Sequence, residues 1–167
     1  MVDNPLNIKV ITVSDTRTEE TDKSGVVLVE KLQAAGHQLL DKIIIPDDVY
    51  QLRAAVSVGI ADPQTQVILM TGGTGFTARD NTQKAIEPLL ELPIAGFGEL
   101  FRQLSYKEIG TSTIQSRAFA GMANGTIVFC VPGSPGACRT AWDQIIAEQL
   151  DNSHKPCNFV DKLKTLP

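Results

Sequence analysis

With 167 residues, 43% of them hydrophobic and 20% charged, the chain has a globular composition and enough length to bury about 70% of its extended surface around one core. No apolar run nears the ~18 residues that span a bilayer, and a formal charge of −4 without a basic stripe argues against a nucleic-acid partner. Three cysteines with no C-x-x-C pair and only two histidines make a zinc site unexpected, and Met1–Pro5 has neither the basic start nor the apolar run of a secretory signal, so a cytoplasmic location with no membrane partner is expected.

In chain order, Ile8–Val13 reads as a central strand followed by the polar turn Ser14-Asp15-Thr16-Arg17. Ser24–Ala35 has helical spacing at Val27, Leu28, Lys31, Leu32 and Ala35, with Ser24 as the expected cap and Gly36 as the stop. Gln38–Ile45 is a second strand, and Val49–Ile60 a second helix with its stripe at Val49, Leu52, Val56 and Ile60. Val67–Met70 is the third strand. The order βαβαβ predicts a mainly parallel sheet with helices on both faces. Beyond it, Asn81–Leu90 reads as a helix bent or ended by Pro88, Phe97–Leu104 as another, and Tyr106–Thr113 as irregular. Ser112 is expected to cap a helix over Ile114–Met122, Asn124-Gly125 to turn into the strand Thr126–Val131, and Ala137–Leu150 to form the last helix. Residues 1–167 read as one domain, with 152–167 a polar wrapping tail.

Two loops carry chemistry. After the third strand comes Thr71-Gly72-Gly73-Thr74-Gly75-Phe76-Thr77-Ala78-Arg79-Asp80, where glycines let backbone N–H groups approach an anion and threonines add hydroxyl donors. It is neither a Walker A loop nor a dinucleotide fingerprint, and a plain structural turn is its alternative. After the last strand comes Pro132-Gly133-Ser134-Pro135-Gly136, a second strand-to-helix turn. Both lie beyond carboxyl ends of strands, where open α/β sheets bind ligands. Thr71, Gly72, Gly73, Thr74 and Gly75 are the phosphate-contact candidates, with Gly133 and Ser134 in the second loop. Ser14 and Asp15 offer a donor and an acceptor for the polar edge of a nucleotide or pterin, or else make a simple turn.

Read together, Val13-Ser14-Asp15, Asp22-Lys23-Ser24-Gly25, Ala35-Gly36-His37, Ile45-Pro46-Asp47, Thr71-Gly72-Gly73-Thr74-Gly75, Gly96-Phe97-Gly98-Glu99 and Pro132-Gly133-Ser134-Pro135 resemble the molybdenum-cofactor biosynthesis MoaB/MogA family over about Asn7 to Phe159. Ser112–Ala118 and Ala137–Trp142 are similar to its MoaB branch. The resemblance implies a three-layer α/β/α molybdopterin-binding fold, a homotrimer or homohexamer, other enzymes of the pathway as partners, and adenylylation of molybdopterin by Mg-ATP with release of pyrophosphate. It places Asp47 and Asp80 at the family's functional positions, where both would hold Mg²⁺ and the reactive phosphate. As local sequence, each also reads as a helix N-cap, and Asp48 is a neighbouring substitute for Asp47. Glu99 either accepts a ligand N–H or is an exposed helical acid, and Arg79 either neighbours a phosphate or pairs with Asp80. Gly136 stands where many relatives carry lysine. That departure motivates an alternative, a non-catalytic molybdopterin carrier or storage protein; a general nucleotide-binding regulator is the third reading.

Overall fold

The computed structural model describes residues 1–167. Its sheet contains β1 (Asn7–Val13), β2 (Gln38–Ile45), β3 (Val67–Thr71), β4 (Leu92–Pro93), β5 (Phe119–Ala123) and β6 (Thr126–Val131), in the order β2-β1-β3-β6-β5-β4. The first four in that order are parallel, with Val10 opposite Leu69 and Leu69 opposite Phe129; β5 and β4 close one edge antiparallel. Strand alternation divides the apolar side chains between two faces. Val10, Leu69 and Phe129 pack into one core with α1 (Lys23–Ala34), α4 (Ala95–Ile109) and α5 (Pro135–Ala141). Ile11, Ile68 and Val128 pack into a second with α2 (Val49–Ala61) and α3 (Thr82–Ile86). The result is the expected α/β/α layering, and no helix is long and apolar enough to cross a membrane.

The chain leaves β1 to build β2 on one side, then crosses back to place β3 on the other. Consecutive connections therefore part between β1 and β3, and a crevice opens at their carboxyl ends. The C-terminal segment lies at the other end of the sheet. Lys164 donates its backbone N–H to Gly125 and its Nζ to the carbonyls of Ile60 and Asp62, beside the amino ends of β3 and β6.

Four local expectations need correction. Asp22, not Ser24, caps α1, because its carboxylate accepts the Gly25 N–H at 2.9 Å. α4 runs on to Ile109, through much of the stretch read as irregular. Ser112 lies within a 3₁₀ segment, Gly110–Gln115, and caps nothing. The expected helix over Ile114–Met122 does not form: Ile114 and Gln115 end the 3₁₀ segment, and Phe119–Met122 lie in β5. Asn124 and Gly125 both have positive φ, 49° and 69°, which makes the turn between β5 and β6 a tight hairpin, and pairing with β6 overrides the helical preference of Ala and Met. Gly121 is needed in that strand, since a Cβ there would lie 2.6 Å from Leu90 Cδ1.

Candidate functional site

The floor of the crevice is built from glycine backbone. Gly72 leaves β3 with φ +106° so close to β1 that a Cβ would lie 2.3 Å from the Val13 carbonyl oxygen. Gly73, at φ +68°, is equally confined by Thr82 Oγ1. Thr82 then fixes the turn, its hydroxyl donating to the Gly72 carbonyl at 2.8 Å and its N–H to the Gly73 carbonyl at 3.1 Å. The second loop joins the first where a Cβ on Gly133 would come within 3.2 Å of Gly72 Cα. Thr71 is fully buried and donates its hydroxyl to the Pro132 carbonyl at 2.9 Å, so it ties the loops together from beneath. Ser134 caps α5 by accepting the Ala137 N–H at 3.1 Å.

Asp47 and Asp80 come to this floor on the α2/α3 side, and neither caps a helix. That role at α2 belongs to Asp48, which accepts from the Tyr50 and Gln51 N–H groups. The Asp47 carboxylate is buried against Gly73 and accepts the Asn81 N–H at 2.9 Å, while Asn81 Nδ2 donates back to the Asp47 carbonyl at 3.1 Å. Burial raises the Asp47 pKa, the charges of Asp80 and Asp15 add to it, and the Asn81 hydrogen bonds oppose them. Asp80 packs against Gly75. Burial pushes its pKa up, but hydrogen bonds from the Thr77 hydroxyl and N–H and from Gly75, with the charge of Arg117, outweigh it and leave the carboxyl below its usual range. Two neighbouring carboxyls are thus driven in opposite directions.

Asp15 locks the β1 loop to the other two. Its Oδ1 accepts the Asp47 N–H at 3.0 Å, and its Oδ2 takes Arg79 Nε at 2.9 Å and Nη2 at 2.6 Å. The partner of Arg79 is therefore Asp15, not Asp80. Ser14 Oγ accepts the N–H groups of Thr16 and Arg17 and shapes the turn that follows β1.

Nowhere are three or more His, Cys, Asp or Glu side chains gathered into a group able to hold a metal alone. Mg²⁺ commonly takes only one or two protein carboxylates and completes its shell with water and substrate phosphates. The all-oxygen pair Asp47 and Asp80 beside a floor of glycine backbone fits that pattern.

Residues 9–152 match the family described as "Probable molybdopterin binding domain". The molybdenum cofactor biosynthesis protein B of Escherichia coli K12 is 52% identical over 160 residues, which cover 96% of this chain and 94% of that protein. This chain belongs to the MoaB/MogA family. The protein of the same name from Bacillus subtilis 168 is 48% identical over 143 residues, covering 85% and 84%. A crystal structure of molybdenum cofactor biosynthesis protein B matches with TM-score 0.86 at 45% identity, covering 90% of this chain and 94% of that one. The tungsten cofactor synthesizing protein MoaB from Pyrococcus furiosus matches with TM-score 0.77 at 37% identity, covering 86% and 92%. The chain stands with the MoaB branch, and its role lies in molybdenum cofactor biosynthesis.

In this MoaB-type chain the candidate residues separate into neighbouring places. Ser14, Thr71 and Gly133 border a polar cleft on the α1/α5 side, whereas Asp47, Asp80, Gly73 and Gly75 meet on the α2/α3 side. Glu99 belongs to neither. It is exposed on α4 and lines a wider groove of about 720 Å³ with Phe76, Arg102, Ile114 and Arg117.

Arg117, which the sequence marks only as a cation near a loop within the MoaB-like segment Ser112–Ala118, clamps the second half of the glycine loop. Its N–H donates to the Thr74 carbonyl at 3.0 Å, Nε to Gly75 at 2.8 Å and Nη2 to Asp80 at 2.9 Å, while its guanidinium lies 4.9 Å from the Phe76 ring centre. Asn81 and Thr82 were missed in the same way. Their signal was position: they immediately follow Asp80 and open the helix that backs the loop.

Proposed function

We propose that this chain adenylylates molybdopterin with Mg-ATP. The observation that carries the reading is the pair Asp47 and Asp80, packed on Gly73 and Gly75 of an anion-binding floor and free of helix-capping duty. The terminal phosphate oxygen of molybdopterin attacks the α-phosphorus of ATP, the bond from that phosphorus to the bridging oxygen breaks, and pyrophosphate leaves. Mg²⁺, held by Asp47 and Asp80, would offset charge on the transferring and leaving phosphates. The chain itself supplies positioning: Gly73 and Thr74 present backbone to phosphate, Gly72 and Gly75 shape the turn with their N–H groups held by the Val131 carbonyl and Asp80, Gly133 and Ser134 extend that surface, and Ser14, Asp15 and Glu99 address polar edges of the two substrates. Phosphoryl chemistry asks mainly for alignment and charge compensation, which this rigid loop junction can provide. We also infer a homotrimer or homohexamer, supported by exposed Phe76, Ile114 and Leu92 in or beside the wide groove, and association with other enzymes of the pathway.

A second reading, a non-catalytic carrier of molybdopterin, is favoured by Gly136 at the start of α5, where no side chain supplies a cation. Incubation of the protein with molybdopterin, ATP and Mg²⁺ separates the two. Adenylylated product with stoichiometric pyrophosphate is the expected result. Verified molybdopterin binding without product would overturn adenylylation and leave the carrier.

A further inference from the structure

The polar cleft on the α1/α5 side has a composition unlike the rest of the crevice. Nine of its ten lining residues are polar, glycine or proline, and Arg17 and Lys23 stand at its wall. Neither cation is in an ion pair, since the seven ion pairs of the protein involve Lys9, Lys31, Lys42, Arg79, His154 and Lys162. Arg17 makes one long contact to the Thr21 carbonyl, at 3.5 Å, and its backbone N–H is held by Ser14 Oγ at 3.0 Å. Lys23 makes no side-chain contact of that kind, although it occupies the first turn of α1, where the helix dipole disfavours a positive charge. A neighbouring depression shares Lys23 and adds Arg139, also unpaired, together with Glu20.

The acid within the cleft does not cancel these charges. Asp22 is already compensated: its carboxylate meets Lys42 Nζ at 2.9 Å, the Thr12 hydroxyl at 2.7 Å and the Gly25 N–H at 2.9 Å. The hydroxyls of Ser24 and Thr71 are turned to the Gly133 and Pro132 carbonyls, so they hold the cleft's shape. The cleft is small, about 120 Å³, and it is the polar and cationic lining that marks it for an anion.

We propose that this cleft is a seat for a diphosphate, with Arg17 and Lys23 as its cations, and that it receives the β- and γ-phosphates of ATP and then the departing pyrophosphate. The ligand's identity rests on the adenylylation reading. The geometry is independent of it: the cleft and the Asp47/Asp80 pair flank the same Gly72–Gly133 junction from opposite faces of the sheet. An α-phosphorus over that junction would have its leaving group drawn to the cationic side and the attacking phosphate entering from the opposite side, as in-line displacement requires.

Calorimetric titration with inorganic pyrophosphate, ATP, AMP and molybdopterin tests the seat, using wild type, Lys23→Gln and the double variant Arg17→Gln/Lys23→Gln. Both side chains are exposed, so the variants are expected to keep the wild-type thermal midpoint. The expected result is at least a tenfold loss of affinity for pyrophosphate and ATP in the double variant, with AMP and molybdopterin bound within twofold of wild type. Unchanged pyrophosphate affinity, or no pyrophosphate binding by wild type, would overturn the seat. A loss confined to molybdopterin would assign the cations to the pterin's phosphate and likewise overturn it. Pyrophosphate binding that depends on Lys23, in a protein that makes no adenylylated product, would sustain the seat and remove adenylylation.

Discussion

At Gly72 the chain turns out of β3 with φ +106° against the carbonyl of Val13, a position that rejects any Cβ. Gly72→Ala is therefore expected to lower the unfolding free energy by at least about 2 kcal/mol, read as a fall in urea midpoint at unchanged slope. His37 gives a second residue-scale expectation. Its Nδ1 accepts the Leu6 N–H at 3.1 Å, which leaves the ring proton on Nε2, buried and without a partner. Burial lowers its pKa, against a smaller upward pull from Asp151. A histidine kept neutral in the fold takes up a proton on unfolding, so its contribution is full above the ordinary pKa of about 6.5 and is lost as pH falls below it. His37→Asn keeps an acceptor near Leu6 but does not titrate. Its unfolding free energy is expected to change less than that of wild type between pH 7 and 5, and equal slopes would refute this role.

At the scale of elements, the glycine loop depends on a distant segment. Arg117 reaches from before β5 to the carbonyls of Gly75 and Asp80, so the loop's shape is set across more than thirty residues of sequence. Arg117→Lys retains the charge but not the fork, and is expected to cost about 2 kcal/mol. Amide exchange over residues 73–80 should rise in the variant while α2 stays protected; unchanged exchange there would contradict the clamp. Such a clamp is illegible in sequence because nothing local relates Arg117 to Gly75. The misread segment around β5 has the same origin. Ala118, Ala120 and Met122 are good helix formers, and only the Asn124-Gly125 hairpin and the neighbouring β6 make the strand the better solution. By contrast β1, β2, β3 and β6 were legible, because short runs rich in Val, Ile and Leu that end in polar, proline or glycine turns have few other uses in a chain of this length, even where Lys9 or Asp41-Lys42 interrupts them.

For the whole molecule, the alternation of strands and helices sufficed to put both glycine loops beyond strand carboxyl ends, but the β1/β3 parting depends on strand order, which alternation leaves open. It did not reveal that the candidate residues divide between two faces of the sheet, with Glu99 in a third place. The groove beside Glu99 bears exposed Phe76 and Ile114, and self-association is expected to cover it. Sedimentation at micromolar concentration should give a trimer or hexamer; a monomer would count against it. The central claim concerns Asp80, whose carboxyl is held in its charged form beside the glycine floor of the crevice. The most direct test is adenylylated-molybdopterin turnover by wild type and Asp80→Asn, with molybdopterin binding measured on the same samples. Asp80→Asn is predicted to lose at least a hundredfold in turnover while binding molybdopterin within a few-fold of wild type; equal turnover in the two proteins would contradict the account.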